Sequence, residues 1–239
     1  MRILGVRVDC VNMDGALTEI ERMVALRGPT RLVVTVNPEF VMRARVDPRF
    51  RDVLADAALS LPDGIGVVWA MRRQGCPQSE RVAGSDLVPL LARSCAARGW
   101  RPFLLGARPG VAEAAARRLE AEHPGLRVAG TYAGSPRPED DEEALRRVAA
   151  ARPDLLLVAY GAPQQELWIA RNLGRVGVPV AVGIGGTLDF LAGRVRRAPR
   201  WLQRAHLEWL WRLALQPARM RRMAVLPIYA LAVLRSSQR

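Results

Sequence analysis

Six short apolar runs, each followed within a few residues by a helical pattern, narrow this chain to one broad class of fold. "LVVTV" (32–36) leads into a helix from about Pro38 to Asp56, and "AALSL" (57–61) into one beginning near Ile65. "PFLLG" (102–106) precedes "GVAEAAARRLEAEH", and "LRVAG" (126–130) precedes "PEDDEEALRRVAAA". "DLLLVAY" (154–160) precedes "QQELWIARNL", and "VPVAVGIG" (178–185) precedes "TLDFLAG". A parallel neighbour is reached only by a crossover, usually a helix, so this alternation predicts an α/β domain with a mainly parallel sheet and helices on both faces. The 239 residues, half of them hydrophobic, suffice for one sizeable core with a small appendage. No short repeat or low-complexity linker interrupts the pattern.

The strand ends carry the unusual residues. They are Asn37-Pro38, Pro62-Asp63-Gly64, Gly106 to Gly110, Gly161 to Glu166, and Gly183-Ile184-Gly185-Gly186-Thr187. In a parallel sheet these ends share one edge, where loops and helix amino ends meet and open α/β folds bind ligands.

Charge divides the chain. Residues 194–239 hold 11 arginines against one acid, Glu208, for +10 of the net +13; residues 1–193 hold 25 arginines against 22 acids. A nearly balanced body with a basic tail predicts an anionic partner for the tail. The division expected is a domain at 1–193 and a helical basic appendage at 194–239. Trp201, Trp209 and Trp211, set among arginines, suit a helix at a membrane surface and equally a helix packed on its own domain. No nucleic-acid motif is present. All 36 basic residues are arginine, which keeps its charge and forks onto phosphate oxygens, with a genomic composition bias as the default reading for the bulk of them. The longest apolar run, "AVLPIYALAVL" (224–234), is too short to span a bilayer and contains Pro227. The apolar part of "MRILGVRVDC" is too short for a signal peptide. Cys10, Cys76 and Cys95 are scattered, with no CxxC or Cys/His cluster, and predict a reducing, cytoplasmic setting without a zinc site.

Each motif has a structural and a functional reading. Asn37-Pro38-Glu39 is a good helix start: a capping Asn, a Pro at the first helical position, and an acid near the positive dipole. Thr35 ends a strand where a β-branched residue needs no ligand. Asp63 before Gly64 is ordinary turn chemistry, yet a carboxylate on the ligand rim can accept a proton from a hydroxyl. Gly106 to Gly110 suits either a phosphate loop or close strand–helix packing. Gly183 to Gly186 lets backbone N–H groups approach an anion. Asp189, in the helical segment that follows, either pairs locally or reaches a ligand. "PEDDEE" (138–143) reads as a solvated, dipole-matched first turn. Arg212, Arg219 and Arg222 share a face if one helix runs through Pro217, and otherwise are exposed arginines.

Taken together, "TVNPEFVMRARVDPRFRDVLADAALSLPDGIGVVWA", "ERVAGSDLV", "FLLGARPGVAEAAA", "YGAPQQELWI" and "GIGGTLDFLAGRVRRAPRWLQRAHLEWLWRLALQPARMRR" resemble the WecG/TagA/CpsF glycosyltransferases (glycosyltransferase family 26), in order and over nearly the whole chain. The resemblance implies a Rossmann-like domain with a C-terminal appendage that completes the site. It also implies an inverting transferase that moves a sugar from a UDP-sugar to an undecaprenyl-diphosphate-linked sugar at the cytoplasmic membrane face. No divalent metal or other cofactor is implied, in keeping with the lack of an Asp-x-Asp at a strand end; a homo-oligomer is compatible. Position by position, Asp63 matches the proposed catalytic base, and Thr35 and Asn37 the polar pair of the pocket floor. Arg81 and Gln165 match pocket residues that affect activity, Asp189 an aspartate near the nucleotide, and Arg212, Arg219 and Arg222 the appendage arginines that reach the diphosphate.

A different class, a Rossmann-type nucleotide or dinucleotide binder acting as an oxidoreductase or regulatory module, would need a GxGxxG after an early strand and an acid about 20 residues later. Neither is clear here. The donor sugar, the acceptor sugar and the linkage are not legible.

Overall fold

The computed structural model describes residues 1–195, 198–199, 202, 211 and 224–236. It opens with a small antiparallel hairpin, β1 (Arg2–Ile3) and β2 (Val6–Arg7), and helix α1 (Met13–Leu26). Strand β3 (Arg31–Val36) runs into α2 (Pro38–Ala44) and α3 (Pro48–Ala55), and β4 (Leu59–Pro62) into α4 (Ile65–Arg73) and α5 (Gly84–Arg98). Strand β5 (Pro102–Gly106) is followed by α6 (Val111–Glu122), and β6 (Gly130–Tyr132) by α7 (Asp141–Ala151). Strand β7 (Leu155–Ala159) precedes α8 (Gln164–Asn172), β8 (Val180–Gly183) precedes the short α9 (Thr187–Leu191), and α10 (Val225–Ser236) comes last.

The six strands from β3 to β8 form one parallel sheet in the order β4-β3-β8-β7-β5-β6. Side chains alternate across a strand, so the central strands feed two cores. Leu32, Val34 and Val36 of β3, with Leu156 and Val158 of β7, pack into the layer holding α2, α3, α7 and α8. Val33 of β3, with Leu155 and Leu157 of β7, packs into the layer holding α1, α5, α6 and α9. This is the expected Rossmann-like α/β architecture.

Three local expectations are corrected. The single helix expected from Pro38 to Asp56 is two helices. Pro48 has no N–H to donate and its ring blocks a continuing helix, while the Asp47 carboxylate accepts from Phe50 N at 3.2 Å to start the second. The strand expected at 126–130 lies later, at Gly130–Tyr132; this edge strand pairs only with β5, and the register begins at Gly130 opposite Phe103. Cys10 and Cys76, expected among reduced thiols, are joined as a disulfide with Cα atoms 6.2 Å apart. The fold sets the segment after β2 beside the end of α4, across a separation of 66 residues that sequence spacing does not reveal. Cys95 stays a thiol, and burial pushes its pKa up to about 12, so it is unreactive. In α10, Tyr229 and Val233 are buried in the same core as α2, while Ile228, Leu231 and Leu234 remain exposed.

Candidate active site

A cavity of about 450 Å³ opens at the carboxyl ends of β3, β4, β7 and β8. Thr35, Asn37, Asp63, Arg81 and Gln165 all line it, so the fold brings together five residues spread over 130 positions of sequence. Asp189 is not among the lining residues. A Cβ on Gly186, which does line the cavity, would lie 3.8 Å from Asp189 Oδ2, so this carboxylate stands just beyond the wall. Arg212, Arg219 and Arg222 lie outside the described residues, as do Trp201 and Trp209.

Each wall residue is placed by its strand end. The buried Thr35 is paired with Leu61 of β4, and its Oγ1 is 3.5 Å from the Gly183 carbonyl oxygen on the opposite side. Asn37 caps a helix at the cavity wall. Its Oδ1 accepts from Phe40 N at 3.0 Å and caps α2, a role that does not use its NH₂ donors. Asp63 follows directly on β4, and its backbone N–H donates to Val36 O at 2.8 Å. Gly64 then takes φ +99°, which reverses the chain into α4 and leaves the half-buried Asp63 on the cavity wall. Arg81 holds Asp86 at 2.8 Å. The amino ends of α4 and α5 line the cavity without a side-chain cap, and the first backbone N–H groups of a helix have no partner within it.

Several lining residues were not singled out from the sequence. Glu39 lies in the "NPE" helix start, and Ser85 in "RVAGSD"; the Ser85 hydroxyl is buried with no hydrogen-bond partner. Trp69 of α4 lines the cavity, with the Arg73 guanidinium 5.6 Å from its ring. Leu226, Tyr229 and Ala230 come from α10, and Tyr229 Oη donates to Gly66 O at 3.2 Å. A tyrosine inside an apolar run was the available signal, because a buried phenol needs a hydrogen-bond partner.

Two other motifs take their structural readings. Gly106 has φ +105°, and a Cβ there would lie 2.7 Å from the Ala159 carbonyl carbon, so close approach of β5 to β7 demands glycine; Gly106 to Gly110 do not line the cavity. In "PEDDEE", Asp141 and Glu143 sit in the first turn of α7 as expected, Glu143 bonding Arg146 and Arg147, but Asp141 is not solvated: it is buried and bonds Arg171 at 2.6 Å. Burial opposes ionisation of Asp141, but the Arg171 and Asn172 hydrogen bonds outweigh it and lower its pKa.

Glu166, behind the wall, is wholly buried, and desolvation raises its carboxyl pKa to about 7 against a hydrogen bond from Gln165. The native state therefore keeps a proton that the unfolded chain loses near 4.5, so this group's contribution is fully present below about pH 4.5 and is lost as pH rises through about 7. Urea midpoints at about pH 5 and about pH 8 check the sign. The wild type is expected to lose more stability between them than Glu166→Gln, which has no charge to bury.

A doubly covered parallel sheet whose one carboxyl edge holds a half-buried aspartate, two amide side chains and two uncapped helix ends defines a Rossmann-like α/β protein with a cleft at the edge where such folds bind ligands. The chain belongs to the WecG/TagA/CpsF family of glycosyl transferases, whose family model matches residues 1–239. It is 40% identical to an N-acetylglucosaminyldiphosphoundecaprenol N-acetyl-beta-D-mannosaminyltransferase of Bacillus spizizenii, over 85% of this chain and 78% of the relative. Proteins of the same name from Bacillus subtilis and Staphylococcus aureus are 36% and 29% identical, over 87% and 99% of this chain and 80% and 93% of theirs. The chain is a glycosyltransferase.

Proposed function

We propose that the enzyme transfers an N-acetylmannosaminyl group, with inversion, from its UDP-linked form to N-acetylglucosaminyl-diphospho-undecaprenol in cell-surface polysaccharide synthesis, of the teichoic acid or exopolysaccharide kind. The activity for which its relatives are named supports the sugars and the lipid. The observation that carries the chemistry is the placing of Asp63 on the wall of one cavity with Arg81 and the uncapped ends of α4 and α5.

Asp63 takes the proton of the acceptor hydroxyl as its oxygen attacks the anomeric carbon from the face opposite UDP. The bond from that carbon to the diphosphate breaks, and negative charge grows on the β-phosphate. Inversion needs one base and no carboxylate nucleophile. The helix ends, Arg81 and the appendage arginines Arg212, Arg219 and Arg222 meet the leaving charge. Tyr229, Leu226 and Ala230 wall the cavity on the side of α10 and help exclude water, the competing acceptor.

The test is a panel of UDP-sugars with a synthetic lipid-diphosphate acceptor, the products being weighed. Thermal shift with UDP against NAD separates this reading from a dinucleotide binder; UDP is expected to stabilise and NAD not. We infer that arginines and helix ends do the work of a divalent ion, because no Asp-x-Asp ends a strand in the sequence. Excess EDTA is expected to leave the rate unchanged, and a rate abolished by EDTA and restored by magnesium or manganese would refute this.

Attachment to the inner face of the plasma membrane is the matching location. No helix among the described residues is long and apolar enough to cross a membrane. Ile228, Leu231 and Leu234 are exposed on α10 beside Arg235, and residues 194–239 hold most of the net charge. Cosedimentation with anionic vesicles is expected to fall as salt rises, since exposed charges are screened beyond about 10 Å at 0.1 M. Salt-independent attachment would point to apolar insertion alone.

A further inference from the structure

Glu166 stands next to Gln165 on α8, and the catalytic scheme above does not use it. It is wholly buried, and Gln165 is 2% exposed. Gln165 Nε2 donates to Glu166 Oε1 at 2.6 Å, while Gln165 Oε1 accepts from Gly185 N at 2.9 Å. These two bonds fix the sense of the amide. If it flipped, its NH₂ would face the Gly185 N–H and its oxygen would face the Glu166 carboxyl oxygen, and both contacts would be lost. The turn at Gly183 is built tightly around the pair. A Cβ on Gly183 would lie 2.6 Å from Glu166 Oε1 and 2.7 Å from Gln165 Nε2. The carbonyl of the same Gly183 faces Thr35 Oγ1.

We propose that Glu166 is a positioning residue for sugar transfer: it sets the polarity of the Gln165 amide and, through it, holds the Gly183 to Gly185 turn that forms one wall of the cavity.

The cost of the arrangement favours a functional role. Glu166 Oε2 is buried without a hydrogen-bond partner, so the carboxyl group carries a desolvation cost that no contact at that oxygen returns. What an apolar residue cannot supply is the acceptor for Gln165. Burial also favours the neutral acid, whose carbonyl oxygen accepts that bond with no charge left in the core.

The inference rests on the cavity being the transfer site, and the experiment separates the two. Glu166→Leu is expected to lower kcat about tenfold, the worth of one neutral hydrogen bond, and to speed hydrogen exchange at the Gly185 amide, beside the modest loss of Tm that follows from leaving the buried Gln165 NH₂ without its acceptor. Glu166→Met replaces it if the Leu variant fails to fold. Glu166→Gln, which keeps an acceptor oxygen, is expected to restore most of the lost rate. In a Gln165→Leu background, Glu166→Leu is expected to add no further loss, because it acts through that amide. Full activity in Glu166→Leu, or a loss that adds in full to that of Gln165→Leu, would overturn the proposal. If the wild type turns over no UDP-sugar, the transfer reading fails instead. Gly185 exchange then decides the relay alone: faster exchange in Glu166→Leu supports it, and unchanged exchange refutes it.

Discussion

Asp63→Asn is expected to lower turnover by a factor on the order of 10²–10⁴, the usual range for a lost general base, while UDP binding stays nearly intact. The substitution is close to isosteric, and the structure gives reason to expect that it folds. The bond that anchors the position runs from the backbone N–H of Asp63 to Val36 O, and the reversal that follows belongs to Gly64. Neither needs a charged side chain. Calorimetric titration with UDP, beside single-turnover rates, measures the two effects separately. Near-normal turnover would remove Asp63 from the mechanism, and an unfolded variant would mean that the carboxylate serves the turn.

The combined variant Arg212→Ala, Arg219→Ala, Arg222→Ala carries the other large effect. Charge-assisted hydrogen bonds to a leaving phosphate contribute roughly 1.5–3 kcal/mol each and are not additive, so we expect a loss on the order of 10³ in kcat. The loss should be the same on a soluble acceptor and on a lipid acceptor in vesicles. A variant that is slow only on vesicles would make these arginines part of the membrane contact and no part of the chemistry. Point substitutions serve better here than truncation of residues 194–239. Truncation would also remove Tyr229 and Val233 from the core and uncover the face of α2 on which they pack, so lost activity would not identify its cause. Loss of a large aromatic from a core typically costs about 3–5 kcal/mol.

What could be read from the sequence was local. The strand-then-helix alternation comes from side-chain periodicity within ten or twenty residues, and it gave the sheet class and the places where strands end. Asn37-Pro38, Pro62-Asp63-Gly64 and Gly183 to Gly186 mark those ends, because capping amides, prolines and glycines act on their immediate neighbours. Since all strands of the sheet run parallel, the topology alone implied that such ends share a rim. The sequence offered Asn37 as a helix cap, and the structure shows that cap at the cavity wall.

Tertiary contacts decided the rest. Pro48 split a helix that periodicity would have continued, which a closer local reading could have caught. No local signal paired Cys10 with Cys76, placed Tyr229 against Gly66, or set the uncapped ends of α4 and α5 at the same cavity as Gln165. Glu166 is the clearest case. In "GAPQQELWI" it is one more acid in the first turn of a helix, where a carboxylate matches the dipole and normally meets water. Only the sheet packed against α8 removes that water. With solvent gone, the cheapest state is a neutral acid whose one bonded oxygen holds Gln165. Burial and long-range pairing are properties of the folded chain as a whole, and no window of sequence contains them.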